Sequence, residues 1–126
     1  AANGTFIARG FAGDIDHLSQ LIIQGIQHHG FALIDILQPC VSFNHQNTYT
    51  WYRERIYKLE SDGYNPESKT DAFAKAQEWG EKIPIGIIYK ENRPTYEERI
   101  PALTRGVLTQ RKPDIQQVEK FLSEFS

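Results

Sequence analysis

The sequence has little of several features that mark common classes of protein. Its 126 residues include one cysteine, Cys40, so the chain can form no internal disulfide. A zinc or iron–sulfur site needs several ligands, so any metal role requires ligands from elsewhere. No apolar run approaches the roughly 20 residues of a membrane span, and the N-terminus lacks the layout of a signal peptide. These absences predict a cytoplasmic protein that does not enter a membrane.

An excess of positive charge is also missing. The formal net charge is −2 at pH 7, whereas nucleic-acid binding depends on clustered Lys and Arg that neutralise phosphates. We therefore expect no nucleic-acid partner. Hydrophobic residues make up 40% of the chain and charged residues 24%, which is the balance of an ordinary globular domain.

Methionine is absent altogether, and the sequence starts with Ala1 and Ala2. Either processing has removed an initiator methionine, or the chain is a piece of a longer protein. The sequence leaves both interpretations open.

The first 37 residues read as strand, helix, strand. A β-prone stretch predicts a strand over residues 5–11, and Asp14 is a suitable N-cap for the helix that follows. Gly30 is the expected helix stop, and residues 31–37 form a second apolar strand. The helix carries one predicted buried stripe at three- and four-residue spacing, namely Ile15, Leu18, Ile22 and Ile26, with Leu21 and Ile23 beside it.

This βαβ unit predicts an α/β fold with a parallel sheet. Such sheets have both faces covered by helices, and two strands with one helix cannot cover themselves. The unit therefore needs neighbouring strands, for which the chain offers few candidates. We accordingly expect the chain to be incomplete.

The rest of the chain reads as helical and extended segments. Apolar spacing predicts a helix over residues 48–59, and Thr70 can cap an alanine-rich helix that runs to Gly80. A strand is predicted over residues 83–89, where Pro84 suits only an edge strand or a first position. An extended arm and a helix over residues 114–125 follow, and the helix is expected to bury Ile115, Val118, Phe121, Leu122 and Phe125.

Cys40 is the residue most suggestive of chemistry. It follows the second strand, and open α/β sheets place their sites at the carboxyl ends of strands. The competing interpretation is a small buried hydrophobe, which is the commoner role of an unpaired cysteine. His28, His29 and His45 lack the spacing of zinc ligands, and we take His28 and His29 as solvated residues at a helix end.

Charged and aromatic clusters have two interpretations each. The basic side chains near residue 55 form either a patch that binds an acidic protein surface or a salt-bridged helix face; they are Arg53, Arg55 and Lys58. The acidic pair Glu97 and Glu98 reads as a solvated charge cluster. No phosphate-cradling glycine loop, Walker motif or Gly-Asp-Gly metal–diphosphate motif occurs. The aromatic content fits an interface or a core equally well, and its members are Trp51, Tyr52, Trp79 and Tyr89.

Several stretches carry a resemblance to a known family. They are residues 5–11, residues 30–44 with the sequence Gly-Phe-Ala-Leu-Ile-Asp-Ile-Leu-Gln-Pro-Cys-Val-Ser-Phe-Asn, residues 47–55, residues 83–89 and residues 93–98. On these residues the chain resembles the β subunit of 2-oxoacid:ferredoxin oxidoreductases. The resemblance extends to about residue 103. Gln38 departs mildly from the family pattern, in which serine or alanine is expected.

The resemblance implies a role in a larger enzyme. Members of this family oxidatively decarboxylate a 2-oxoacid with thiamine diphosphate and Mg²⁺, pass electrons through a 4Fe–4S cluster to ferredoxin, and yield an acyl-coenzyme A. It implies that residues 1–47 are the C-terminal βαβ segment of the thiamine-diphosphate-binding domain and residues 48–126 a C-terminal extension. It also implies that Cys40 is the last cluster ligand.

In the family, most other cluster cysteines and the Gly-Asp-Gly motif lie upstream of the matched region. This chain alone is therefore expected to be inactive and to hold no cofactor. Its expected partners are the upstream part of the β subunit, the α subunit and ferredoxin, with a 2-oxoacid and coenzyme A as substrates of the whole enzyme.

Two alternatives stay open. The chain could be a non-catalytic interaction module of the same fold that binds an α-like partner subunit. It could also be part of an enzyme that binds a different diphosphate cofactor.

Overall fold

The computed structural model describes residues 3–104, 106–112 and 114–125. The chain divides into two compact units, Ala1–Pro94 and Thr95–Ser126. The predicted boundary near residue 47 falls within the first unit and stays a prediction.

The first unit opens with the predicted βαβ arrangement. Strand β1 (Phe6–Phe11) and strand β2 (Ala32–Leu37) pair in parallel, joined by helix α1 (Ile15–Gln27). Asp14 caps α1, because its Oδ1 accepts the His17 N–H at 3.2 Å. The strand–helix–strand prediction is confirmed.

The buried face of helix α1 is only partly the predicted one, since Leu18 of the predicted stripe lies close to Gly10 of β1 but other members of the stripe are exposed. Leu21 is 1% exposed, whereas Ile15 and Ile26 are 72% and 79% exposed. Gly25 lies on the buried face, where an added Cβ would approach Ile34 Cδ1 to 3.1 Å. The sequence places apolar residues on two faces of α1, and the close approach at Gly25 is what selects the face that meets the sheet.

The sheet is completed by strand β3 (Ile56–Lys58) and strand β4 (Ile83–Lys90), in the order β2-β1-β4-β3. Strand β4 is antiparallel to β1 and parallel to β3. The remaining elements of this unit are helix α2 (Tyr49–Arg53), a 3₁₀ helix (Leu59–Asp62) and helix α3 (Lys69–Gln77).

Two helix predictions in this region were wrong in extent. The helix expected over residues 48–59 ends at Arg53, because Ile56 and Tyr57 pair with β4 as a strand. Isoleucine and tyrosine are β-prone, and sheet pairing overrode a helical spacing. Helix α3 is capped by Ser68 rather than Thr70, since Ser68 Oγ accepts the Asp71 N–H at 3.3 Å.

The expectation that Pro84 would lie in an edge strand or at a first position was wrong, because β4 is central and Pro84 is its second residue. Ile83 donates its N–H to Arg55 O at 2.9 Å on the β3 side, so the nitrogen of residue 84 faces β1. Pairing with β1 reaches only as far as Gly86. The missing N–H of Pro84 therefore costs the sheet no ladder bond.

Both faces of the sheet carry apolar clusters. Alternation along β1 places Phe6 and Ala8 against α1 and Leu21, and places Phe11 on the opposite face. That opposite face holds two clusters, one of Phe11, Leu37, Ile83 and Ile85, the other of Leu59, Ala72, Ile88 and Tyr89. The mixed α/β architecture is thus covered by α1 on one face and by the α2 and α3 segments on the other.

The second unit contains the predicted C-terminal helix, α4 (Ile115–Ser123), after 3₁₀ turns in the arm. Asp114 caps it by accepting the N–H groups of Gln116 and Gln117. The expectation that its apolar stripe is buried was wrong, because Ile115, Val118, Phe121, Leu122 and Phe125 are all exposed.

A glycine substitution tests the βαβ geometry. Gly30 has φ +128°, and an added Cβ would lie 2.3 Å from Thr5 Oγ1. We expect Gly30→Ala to lower the free energy of unfolding by about 3 kcal/mol, because backbone strain adds to steric overlap. Gly63→Ala is the matched control: its φ is +66° with nothing within 4 Å of the new Cβ, so a loss of about 1 kcal/mol is expected. Equal losses in denaturant titrations would contradict this assignment.

Candidate functional site

Cys40 lies three residues beyond the end of β2, at the carboxyl end of the β1–β2 pair. Pro39 beside it is buried, but Cys40 itself is exposed and forms no disulfide. The interpretation of Cys40 as a small buried hydrophobe is therefore wrong. Its thiol is accessible to a group outside the chain.

A tight turn follows Cys40. The N–H groups of Phe43 and Asn44 donate to Cys40 O at 3.3 and 2.9 Å. Asn44 Oδ1 accepts the N–H groups of Gln46 and Asn47, both at 3.0 Å, and its Nδ2 donates to Asn47 Oδ1 at 3.1 Å. The loop that carries the cysteine is thus organised by polar contacts.

The three histidines and Cys40 do not come together as a metal site. Within the described ranges, no group of three or more His, Cys, Asp or Glu side chains is placed to hold a metal ion. His29 and His45 are exposed. Cys40 therefore has no group of metal-ligating side chains beside it in the described part of the chain, and thiolates are the usual ligands of iron–sulfur clusters.

His28 is not a solvated helix-end residue, contrary to expectation. Its Nε2 lies 2.9 Å from Thr5 Oγ1, and the hydroxyl also donates to Phe31 O at 3.0 Å and accepts the Phe31 N–H. Because the hydroxyl hydrogen is used on Phe31, His28 Nε2 is the donor in its contact. Burial lowers the pKa of His28, and the positive charges of Lys90 and His29 lower it further. His28 is therefore a structural link between the end of α1 and the start of β1.

This link predicts an acid-sensitive fold. Between the lowered pKa of His28 and its ordinary value of 6.5, the unfolded chain binds a proton that the folded chain does not. Stability should therefore fall as the pH drops through 6.5. We expect His28→Gln, which keeps an N–H donor, to flatten the decline in melting temperature between about pH 7.5 and 5.5. An exposed histidine in another loop provides the control, since His45→Gln should retain the wild-type slope; a wild-type slope in His28→Gln would refute the link.

The basic patch is engaged in contacts within the chain. Arg55 Nη1 donates to Trp51 O at 3.1 Å and Glu54 Oε2 at 3.2 Å, and its guanidinium lies 4.4 Å from the Trp51 ring centroid. Lys58 Nζ lies 2.7 Å from Asp14 Oδ2, and this bond lowers the pKa of Asp14. The structure favours the salt-bridged face over a docking patch for an acidic protein.

The aromatic side chains divide between core and surface. Trp51 and Tyr52 are half-buried against the cluster around Phe11, and Tyr89 is buried. Trp79 is exposed, with the Arg9 guanidinium 5.7 Å from its ring centroid. Core packing accounts for all but Trp79.

Glu98 of the acidic pair near residue 97 closes a local turn with Thr95. Glu98 Oε2 accepts the Thr95 N–H at 2.7 Å, at the start of a 3₁₀ turn. Arg93 pairs with Glu91 at 2.8 Å. Neither arrangement resembles a pair of catalytic carboxylates.

A polar cluster that sequence reasoning missed joins β3 to α3. Tyr57 donates its hydroxyl hydrogen to Glu78, while Lys75 Nζ donates to Tyr57 Oη at 2.9 Å and pairs with Glu78 Oε1 at 2.9 Å. The bond to Tyr57 raises the pKa of Lys75, burial raises the pKa of Tyr57, and the tyrosine bond lowers the pKa of Glu78. These shifts favour the ordinary charge of every group at neutral pH, and the bonds together form a clasp between β3 and α3. The sequence alone showed only that Lys75 and Glu78 lie three residues apart.

We expect Tyr57→Phe to lower the free energy of unfolding by about 1–2 kcal/mol, because two hydrogen bonds to charged groups are lost. Tyr96→Phe, at an exposed ring in the second unit, is the control and should change stability little. Urea titration of both variants measures the difference. A clasp of no energetic consequence would leave the two curves superimposed.

Apolar surface is left open on the first unit. Strand β2 pairs with β1 alone among the described residues, and Phe31, Leu33 and Ile36 on or beside it are exposed. A cleft of about 210 Å³ borders this edge, with Ile7 and Phe73 in its lining. Such open edges and apolar patches mark contact surfaces in natural proteins.

The helices of the described residues are all too short or too polar to span a lipid bilayer.

The fold and the site define an α/β protein segment with one accessible thiol at the carboxyl end of a parallel strand pair. A family model that describes the C-terminal region of the pyruvate ferredoxin oxidoreductase beta subunit matches residues 40–105, which is more than half of the chain. The chain therefore belongs to the family formed by the C-terminal regions of pyruvate ferredoxin oxidoreductase β subunits.

Individual relatives agree with this assignment. The chain is 49% identical over 109 residues to the 2-oxoacid:ferredoxin oxidoreductase subunit beta of Sulfolobus sp, covering 78% of this chain and 36% of the relative. It is 37% identical over 131 residues to 2-oxoacid:ferredoxin oxidoreductase 1, subunit beta, of Aeropyrum pernix, covering 95% and 41%. The chain thus spans about two fifths of the length of these curated relatives.

A solved structure has a similar fold. The 2-oxoglutarate:ferredoxin oxidoreductase from Magnetococcus marinus, with 2-oxoglutarate, coenzyme A and succinyl-CoA bound, matches with a TM-score of 0.75 and 27% sequence identity. The match covers 93% of this chain and 40% of that chain. The predicted α/β class is confirmed.

Proposed function

We propose that this chain is the C-terminal part of the β subunit of a 2-oxoacid:ferredoxin oxidoreductase. The whole enzyme would oxidatively decarboxylate a 2-oxoacid to an acyl-coenzyme A and pass the electrons to ferredoxin. The observation that carries the proposal is the accessible thiol of Cys40 at the first residue of the family match, on the rim where α/β sheets place their sites. The names of the relatives supply the reaction class.

Cys40 would be one ligand of a 4Fe–4S cluster whose other ligands lie outside this chain. Cys40 fits this role, because a thiolate is the usual ligand of an iron–sulfur cluster. The exposed thiol can be reached by a cluster that another segment holds. The cluster, with thiamine diphosphate and Mg²⁺, would supply the decarboxylation and electron-relay chemistry. This chain would contribute the thiolate and the rigid sheet edge beneath it.

The open surfaces support partners within the same enzyme. The free edge of β2 and the exposed isoleucines Ile15 and Ile26 of α1 are apolar, and a stable protein covers such surfaces. We assign them to contacts with the upstream part of the β subunit and with the α subunit. Ferredoxin is the proposed electron acceptor, and the cytoplasmic location stays a prediction.

A cysteine substitution in the intact enzyme tests the proposal. We expect Cys40→Ala to lower the iron content and the cluster absorbance, and to abolish ferredoxin reduction with a 2-oxoacid and coenzyme A. Ser42→Ala, at an exposed position two residues away, is the matched control and should keep the wild-type iron content. Wild-type iron in Cys40→Ala would refute the ligand role.

The alternative, an interaction module without redox chemistry, gives a different result. In that case the wild-type assembly would bind its partner subunit yet contain no iron and reduce no ferredoxin. The same iron and activity measurements on the wild-type assembly therefore separate the two functions.

A further inference from the structure

The loop between β2 and α2 depends on hydrogen bonds more than on packing. Pro39 is buried, but Val41 and Phe43 are 59% and 91% exposed, so the apolar side chains that follow Cys40 contribute little buried surface. Ordering an exposed loop residue costs about 1–2 kcal/mol of conformational entropy, which specific contacts must offset. The contacts that hold this loop therefore decide where Cys40 is placed.

Asn44 makes most of those contacts. Its N–H donates to Cys40 O at 2.9 Å, which closes the turn around the cysteine. Its Oδ1 accepts the N–H groups of Gln46 and Asn47, and its Nδ2 donates to Asn47 Oδ1. Asn44 thus binds the carbonyl of Cys40 through its backbone N–H, and it binds the following segment through its side chain.

The following segment is anchored to the core. Thr48 caps helix α2 by accepting the Trp51 N–H at 3.3 Å. Tyr49 and Trp51 pack against the cluster that contains Phe11. A continuous set of contacts therefore runs from Cys40 through Asn44 and Asn47 to a helix fixed against the sheet.

The chemistry of this position is specific to asparagine. The side chain must accept two backbone N–H groups and also donate to an amide oxygen, at a reach of one methylene. Aspartate supplies the acceptor but not the donor. Glutamine supplies both, but its amide is displaced by a further methylene.

We propose that Asn44 is a positioning residue that holds the Cys40 thiolate in place for cluster ligation, an inference that rests on the proposed function. Groups that orient metal ligands affect metal retention even though they do not touch the metal, and their loss typically costs roughly 10–100-fold in affinity. Asn44 acts through the loop backbone and does not itself bind the cluster.

Iron release from the intact enzyme tests this inference. We expect Asn44→Ala to release iron to a chelator about tenfold faster than wild type and to change the electron paramagnetic resonance spectrum of the reduced cluster. Asn44→Asp should restore most of the retention, because it keeps the acceptor for the two N–H groups. Asn44→Gln should behave like the alanine variant, and it carries the test if the alanine variant does not accumulate.

Asn65→Ala is the matched control, because Asn65 Oδ1 likewise accepts a backbone N–H two residues on, from Glu67 at 3.1 Å, in a different loop. It should leave iron release and the spectrum unchanged. The inference is overturned if Asn44→Ala releases iron at the wild-type rate and keeps the wild-type spectrum. If Asn44→Ala does not accumulate, the same result in Asn44→Gln overturns it. Equal changes in Asn44→Ala and Asn65→Ala overturn it as well.

The ligand role of Cys40 can fail independently. Full iron content in Cys40→Ala would refute the proposed function whatever Asn44 does. Iron loss in Cys40→Ala together with wild-type behaviour of Asn44→Ala would refute the positioning role alone.

Discussion

The parallel pairing of β1 and β2 is the constraint on which the rest of the structure depends. Its register runs from Phe6 opposite Ala32 to Phe11 opposite Leu37. A slip of one residue would turn Phe6 and Ala8 away from α1 and lose that half of the core. Because both strands point the same way, their carboxyl ends coincide, and the chain leaves β2 at the rim where Cys40 is exposed. The position of the thiol is thus a consequence of strand direction.

The antiparallel pairing of β4 with β1 determines how the face of the sheet opposite α1 is covered. It brings β3 into the same sheet, and α2 and α3 then pack over Phe11 and over Ile88. Pro84 is compatible with this central strand because its nitrogen faces β1 beyond Gly86, where the pairing with β1 ends. The clasp of Tyr57, Lys75 and Glu78 ties the added strand to its helix.

Packing and polar bonding have separate tasks in this protein. Apolar clusters fix the sheet, whereas the loop after Cys40 has exposed apolar side chains and relies on the contacts of Asn44. A metal-ligating thiolate needs this combination, since it must be reachable from outside yet held in one geometry. The proposed function and the proposed role of Asn44 both follow from a rigid strand end joined to an accessible loop.

The sequence by itself determined the local features: the β1–α1–β2 order, the cap at Asp14, and the placement of Cys40 after a strand. These depend on periodicity and on short-range hydrogen bonds, which neighbouring residues specify. The family resemblance also came from the sequence, and the family match confirmed it. Only the tertiary structure decided which face of α1 is buried, that residues 56–58 form a strand, that β4 is central and that His28 and Tyr57 form buried polar links. Each of these depends on partners far away in the chain, such as Ile34 against Gly25 or Glu78 beside Tyr57, and no local pattern encodes such contacts.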